Sequence, residues 1–207
     1  VAVTPTASGK TLCYNLPVLQ TIAKAPESRA LYLFPTKALA QDQKNELNEI
    51  ITEMGVPIHS YTYDGDTAPA LRQKIRQAGH IVITNPDMLH TAILPHHPKW
   101  ISLFEQLRYV IIDELHTYRG VFGSHVANVI RRLKRICAFY GSSPTFICTS
   151  ATIANPQELA ERLTGESMTL IDNNGAPRGR KHLVFYNPPV VERTMNVRQS
   201  ATKTVVE

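Results

Sequence analysis

Tyr109-Val110-Ile111-Ile112-Asp113-Glu114-Leu115-His116 joins four large apolar residues directly to two carboxylates and a histidine. A short run of this kind, rich in β-branched residues, reads as a strand buried on both faces, the mark of a parallel sheet. Acidic residues straight after it stand at the strand's carboxyl end, where such sheets bind their ligands. Far upstream, Pro5-Thr6-Ala7-Ser8-Gly9-Lys10-Thr11 follows another apolar run, Val1–Val3. Small residues leading into Gly-Lys-Thr let successive backbone N–H groups converge on phosphate oxygens at a helix N-terminus, where the dipole favours negative charge. In that pattern Lys10 reaches the β/γ-phosphates and the Thr11 hydroxyl ligates Mg²⁺. Thr4 stands where the pattern usually has a glycine, five residues before Gly9, a departure in the string more than in the chemistry.

The two segments complement each other. Asp113 is placed to hold Mg²⁺ through water, and Glu114 to orient and deprotonate a water attacking a γ-phosphate. Lys10, Asp113 and Glu114 are therefore the candidate catalytic set, and Thr11 with Asp113 the candidate metal pair. The bland alternative for the acidic segment is a solvated turn, which its pairing with Gly9-Lys10-Thr11 argues against. His116, two residues past the candidate base, reads as a sensor of nucleotide state.

Outward from these segments, β-branched runs alternate with amphipathic stretches. Val1–Val3, Ala30–Phe34, Ile58–Tyr63, His80–Thr84, Tyr109–Asp113, Thr145–Thr149 and Met168–Ile171 read as strands. Ala38–Met54, Ala68–Gln77, Ser124–Tyr140 and Pro156–Leu163 read as helices. The expected fold is α/β, a mostly parallel sheet with helices on both faces. Thr149-Ser150-Ala151-Thr152 closes the strand after the acidic one, so its hydroxyls are expected beside the phosphate site, with Ser150 and Thr152 coupling that site to a neighbouring surface. The segment 173–181 has turn formers and charge without apolar periodicity and reads as a linker. The expected organisation is a nucleotide-binding domain over 1–172, that linker, and the start of a second domain over 182–207 opening with a strand at His182–Tyr186.

With 207 residues the chain supports one sizeable core. Hydrophobic residues make up 43% and charged residues 19%, ordinary values that exclude a fibrous or disordered chain. No apolar stretch approaches the ~20 residues of a membrane span, and no signal-like segment precedes the first strand, so the reading is cytoplasmic, without membrane partners. Cys13, Cys137 and Cys148 lack metal spacing and read as buried thiols. The net charge is +5, and six basic against three acidic residues from Ile171 onward carry most of the excess. Arg131, Arg132, Lys134 and Arg135 read as a solvated helix face opposite Val129, Ile130, Leu133 and Ile136. His96-His97, between prolines, reads as a surface loop that Trp100 anchors to the core.

Five segments stand in a telling order: Pro5–Thr11, Pro35-Thr36-Lys37-Ala38-Leu39, Thr84-Asn85-Pro86-Asp87, Asp113–His116 and Ser150-Ala151-Thr152. In this order the chain, over about residues 1–190, resembles the DExH-box helicases of superfamily two, and specifically their first RecA-like, P-loop NTPase lobe. Its flanking text is most similar to the mitomycin-repair subgroup of DNA helicases, through Ala7-Ser8-Gly9-Lys10-Thr11-Leu12-Cys13-Tyr14-Asn15-Leu16-Pro17, Tyr63-Asp64-Gly65-Asp66-Thr67 and His116-Thr117-Tyr118-Arg119-Gly120-Val121-Phe122-Gly123. The resemblance implies ATP as the bound nucleotide with Mg²⁺, its phosphates held by Pro5, Thr6, Ala7, Ser8, Gly9, Lys10 and Thr11. It implies a single nucleic-acid strand, DNA in that subgroup, passing over Pro35, Thr36, Lys37, Gly65, Thr84, Asn85 and Pro86. It also implies a second lobe whose arginines complete the ATP site. A lobe without them is expected to be a poor ATPase and no helicase, because an arginine finger is worth about 10³–10⁵ in rate. On the residues alone, two other readings stay open: another P-loop phosphotransferase, or a non-catalytic module that binds nucleotide or nucleic acid.

Overall fold

A computed structural model describes residues 1–4, 9–173, 175, 180, 185–192 and 197–200. Among these residues, six parallel strands lie in the order β1-β6-β5-β2-β4-β3. They are β1 (Ala2–Val3), β2 (Arg29–Leu33), β3 (Ser60–Thr62), β4 (Ile81–Thr84), β5 (Leu107–Ile112) and β6 (Thr145–Ser150). The main helices are α1 (Lys10–Lys24), α2 (Lys37–Met54), α3 (Pro69–Ala78), α6 (Gly120–Phe139) and α7 (Pro156–Thr164), with two short ones, α4 (Pro86–Met88) and α5 (Ile101–Glu105), between β4 and β5. A separate unit, Ala176–Glu207, holds the antiparallel pair β7 (Val190–Glu192) and β8 (Val197–Arg198). No helix of the described residues is long and apolar enough to cross a membrane.

Successive side chains of a strand point to opposite faces, and both faces here are covered. On one, Ala30, Tyr32 and Phe34 pack with Val18, Leu19 and Ile22 of α1 and with Leu47 and Ile51 of α2. On the other, Leu31 and Leu33 pack with Ile75, Phe104, Ile130, Leu133 and Leu163 from α3, α5, α6 and α7. Two-sided burial is why the strands carry continuous apolar runs instead of alternating ones. Helix ends are set locally: the Thr36 hydroxyl accepts from Leu39 N at 3.3 Å at the start of α2, and Gly165, at φ 68°, closes α7.

Several expectations need correction. Met168–Ile171 forms no strand; an isolated bridge pairs Ile171 with Ala2, closed by Val3 N to Ile171 O at 2.9 Å and Ile171 N to Val1 O at 2.8 Å. The stretch after β4 is helical almost throughout, passing from α4 through a π-helix, Leu89–Ile93, and a 3₁₀ stretch, Leu94–Trp100, into α5. Pro86, Pro95 and Pro98 hide this in the sequence because proline punctuates helices, yet Pro86 sits at the start of α4, where its missing N–H is harmless. His96-His97 thus lies within helical turns rather than a loop, kinked at His96, and the His97 ring meets the Tyr140 hydroxyl at 2.8 Å. Cys13 is exposed. Cys137 and Cys148 are buried, which pushes their thiols up to about 11 and about 12. The basic face of α6 is not uniformly solvated, since Lys134 donates to Thr164 O at 3.2 Å and pairs with Glu166, satisfying the carboxyl end of α7. Of the strand expected at His182–Tyr186, residues 182–184 lie outside the described residues, and 185 and 186 are in no strand.

Trp100 is 1% exposed and meets Tyr63 edge-on at 4.9 Å, tying the prolyl segment to the end of β3. Trp100→Ala is expected to lower stability by about 3–5 kcal/mol through the cavity it leaves. Urea unfolding followed by circular dichroism measures the loss.

Candidate functional site

Parallel strands bring their carboxyl ends to one edge of the sheet, and the candidate residues collect there. Gly9 caps α1 in the left-handed region, φ 79° and ψ 23°, a conformation glycine adopts without the cost of a Cβ. One residue on, Lys10 Nζ donates to Thr4 O at 3.3 Å and to Ser150 O at 3.4 Å, at the ends of β1 and β6. An ammonium carries three protons, so one is left without a partner among the described residues. Pro5, Thr6, Ala7 and Ser8 lie outside the described residues. One turn along α1, the Tyr14 hydroxyl donates to Gln43 Oε1 at 2.8 Å. Burial raises the Tyr14 pKa, the Asp113 charge adds to the rise, and a contact with the Thr11 hydroxyl opposes it.

Asp113 follows β5, and its backbone N–H donates to Leu33 O at 3.1 Å. Its Oδ1 accepts two hydrogen bonds, from Glu114 N at 2.8 Å and from the Thr149 hydroxyl. Oδ2 has no partner among the described residues. Glu114 adopts φ 51° and ψ 45°, the one left-handed non-glycine residue among those described. Holding a side-chain-bearing residue there costs roughly 1–2 kcal/mol. The turn is fastened from both sides, by fully buried Leu115 and by the Thr117 hydroxyl donating to Glu114 O at 2.8 Å. His116 Nδ1 lies 3.2 Å from Glu114 Oε2, within ion-contact range but misaligned for a hydrogen bond. Behind them, the Tyr118 hydroxyl is buried and unpartnered, and burial, then the Asp113 charge, holds its pKa above the ordinary phenol range. Ser150 is buried with its hydroxyl unpartnered, whereas Thr152 is exposed.

A second group lies at the ends of β2, β3 and β4. Thr36, Lys37, Asp64, Thr84 and Asn85 line one small cleft. Their polar groups are not equally available. The Thr84 hydroxyl is buried and donates to Tyr63 O at 2.7 Å, so its proton is committed inside the fold. Asn85 accepts from Met88 N at 2.8 Å through Oδ1, and its amide protons have no partner among the described residues. Lys37 Nζ is held 2.7 Å from Asp66 Oδ2, an exposed pair that raises the lysine's pKa through its hydrogen bond and lowers the acid's. Gly65 sits in a turn clamped by Arg72, whose Nη2 donates to Asp64 O and Gly65 O, both at 3.0 Å, while Nε donates to Thr67 O at 2.7 Å. Pro86 opens α4 beside this cleft.

The structure thus brings Lys10, Asp113, Glu114, His116 and Ser150 together at one end of the sheet edge and Thr36, Lys37, Gly65, Thr84 and Asn85 at the other. Sequence reading placed the Thr149 hydroxyl beside the phosphate site without pairing it with Asp113, and it gave no role to Asp66 or Arg72. The partner choices of Thr149 and Arg72 depend on strand register and loop path.

Comparison with known proteins gives a consistent result. The DEAD/DEAH box helicase profile matches residues 1–159. The Bacillus subtilis protein named uncharacterized ATP-dependent helicase YprA is 77% identical over 207 residues, all of this chain and 28% of its own length. The ATP-dependent helicase HRQ1 of Saccharomyces cerevisiae is 44% identical over 205 residues, 97% of this chain and 19% of its own length. The crystal structure of the helicase MrfA bound to DNA and AMPPNP matches with a TM-score of 0.95 at 77% identity, covering 99% of this chain and 28% of that one. The chain spans less than a third of the length of these relatives.

Because the Glu114 backbone is left-handed, Glu114→Gly is expected to be more stable than Glu114→Ala by about 1 kcal/mol, the reverse of the order in ordinary backbone. Chemical unfolding of the two variants side by side checks it.

Proposed function

Since the chain belongs to the DEAD/DEAH box helicase family and has the fold of a RecA-like lobe, we propose that it is the first, ATP-binding lobe of an ATP-dependent DNA helicase or translocase. The observation that carries the reading is the position of Lys10, whose ammonium is held between Thr4 O and Ser150 O, at the ends of β1 and β6, while Asp113 and Glu114 follow the neighbouring strand β5. In this reading residues 1–172 are the lobe, 173–181 the linker and 182–207 the start of a second lobe.

ATP enters with its phosphates on the N–H groups preceding α1, and the third proton of Lys10 meets the β/γ-phosphates. The donor set fits Mg²⁺: a hydroxyl from Thr11 would ligate the ion, and a carboxylate oxygen of Asp113, Oδ2, which no described residue engages, would hold it through water. Held by these residues, the ion would neutralise charge on the phosphate oxygens. Glu114 accepts the proton of the attacking water, and its fixed backbone holds the carboxylate on one bearing as it does so. His116, against Glu114, and Ser150, whose carbonyl holds Lys10, report the nucleotide's state toward the second lobe, with Thr152 exposed on that path.

The strand passes over the other end of the edge. Pro35, Thr36, Lys37, Gly65, Asn85 and Pro86 supply backbone and side-chain donors to its phosphates, while Thr84 shapes the track by fixing Tyr63 O. Such contacts hold a backbone without reading bases. We assign DNA as the substrate because MrfA, similar at 77% identity, is described bound to DNA, and place the work in the cytoplasm with the mitomycin-repair subgroup.

In the full-length protein, Glu114→Gln is expected to keep nucleotide affinity within a few-fold while DNA-stimulated ATP turnover falls by about 10²–10⁴. Absence of any DNA stimulation in the parent protein overturns the helicase reading; loss of nucleotide binding in a folded Glu114→Gln overturns the role of Glu114 alone. A second outcome concerns the track. Asp66→Asn releases Lys37, so single-strand affinity rises and the slope of log K against log salt steepens by about 0.7. An unchanged slope means that Lys37 does not meet the strand.

A further inference from the structure

We propose that Thr149 is the positioning residue of the metal acid: its hydroxyl fixes the Asp113 carboxylate so that Oδ1 faces the protein and Oδ2 faces the cation. The inference rests on the reading of Asp113 as the Mg²⁺ acid.

A carboxylate at the end of a strand is free to rotate about its terminal torsion, and either oxygen serves a cation equally well. Here that freedom is removed. Oδ1 accepts from two donors that come from different directions, the Glu114 backbone N–H at 2.8 Å and the Thr149 hydroxyl from the neighbouring strand. Both donors are themselves rigid. Glu114 N is oriented by the left-handed turn, and Thr149 is fully buried, β-branched and hence restricted about χ1. The pairing of Ile112 with Cys148 sets the contact, since one step further along each strand Asp113 and Thr149 stand side by side.

The hydroxyl's choice of partner is informative. A buried threonine in a strand needs some acceptor, and Thr84 on β4 takes a backbone carbonyl, Tyr63 O. Thr149 takes the carboxylate instead, a charge-assisted bond that is stronger than a neutral one. On its other side β6 pairs with β1, Thr149 lying opposite Ala2, and the next carbonyl along, Ser150 O, accepts from Lys10 Nζ at 3.4 Å. The dipeptide Thr149-Ser150 therefore holds the metal acid through a side chain and the phosphate lysine through the backbone. Outer partners of this kind orient the oxygen that holds the metal, and their loss costs about 10–100-fold in metal affinity.

The test is made on the full-length protein with a fluorescent, non-hydrolysable ATP analogue, reading the free Mg²⁺ concentration that gives half of the metal-dependent gain in nucleotide affinity. Thr149→Val, nearly isosteric and lacking the hydroxyl, is expected to raise that concentration about tenfold or more, and Thr149→Ser to restore the parent value. Thr149→Ala, which removes the same hydroxyl with less volume, gives the second measurement should the valine variant fail to unfold cooperatively. Asp113→Ala is expected to abolish the Mg²⁺-dependent gain. An unchanged Mg²⁺ requirement in folded Thr149→Val or Thr149→Ala, with the gain lost in Asp113→Ala, overturns the role of Thr149 and leaves the site reading intact. Retention of the gain in Asp113→Ala overturns the assignment of the metal acid, and the role of Thr149 with it. A general packing role for Thr149 predicts lowered stability with no change in the Mg²⁺ requirement, so the metal titration separates the two.

Discussion

The parallel pairing of β5 between β2 and β6 is the constraint on which the rest depends. Ile112 stands opposite Leu33 on one side and Cys148 on the other. From that register follow the bond from Asp113 N to Leu33 O, the approach of Thr149 to Asp113, and the position of Ser150 O under Lys10. Antiparallel pairing would send neighbouring strand ends to opposite edges and scatter these residues. Parallel pairing needs a crossover after every strand, and the helices that make the crossovers bury both sheet faces. The chemistry is thereby left to the rim, the one place where polar groups reach solvent without breaking the core.

At that rim, hydrogen bonds divide polar groups into those fixed within the fold and those left for ligands. Thr84, Arg72 and the Oδ1 of Asp113 are committed to protein partners. Asp113 Oδ2, one proton of Lys10 and the amide protons of Asn85 are not, among the described residues. Committed groups hold the geometry and uncommitted ones face outward, which is how a preorganised site avoids reorienting when a charged ligand arrives. The strained turn at Glu114 belongs to the same scheme, since a left-handed glutamate persists only where Leu115, Thr117 and Asp113 fasten it.

The two groups at the edge use different physics. Behind Lys10 and Asp113 stand the buried side chains of Tyr14, Tyr118 and Ser150, so charge beside them is less screened than at the open surface. The other end, around Lys37, is open, and Lys37 shares an exposed ion pair with Asp66, whose side chain is 85% exposed. An enclosed site suits a small, highly charged ligand held in one pose. An open one suits a polymer backbone that moves past it, with contacts individually weak and salt-sensitive.

What the sequence determined by itself was whatever depends on local pattern. The runs at Ala30–Phe34 and Tyr109–Asp113 marked buried strands through their unbroken apolar content. Gly9-Lys10-Thr11 and Asp113-Glu114 marked the candidate site, because the chemistry proposed for them is written in neighbouring residues. The tertiary structure alone decided what depends on register and on paths between distant segments. Nothing in the text of Thr149 distinguishes a hydroxyl on a carboxylate from one on a carbonyl like that of Thr84. The commitment of Arg72 to a turn, of Lys37 to Asp66 and of Lys134 to the end of α7 likewise appears only once the loops are closed. The helical run through Pro86, Pro95 and Pro98 was masked for a different reason: proline penalises a helix interior locally, while the burial of Leu89, Ile93, Leu94 and Trp100 in the shared core outweighs that penalty. Propensity is a property of a few residues, burial a property of the whole fold, and where the two disagree burial prevails.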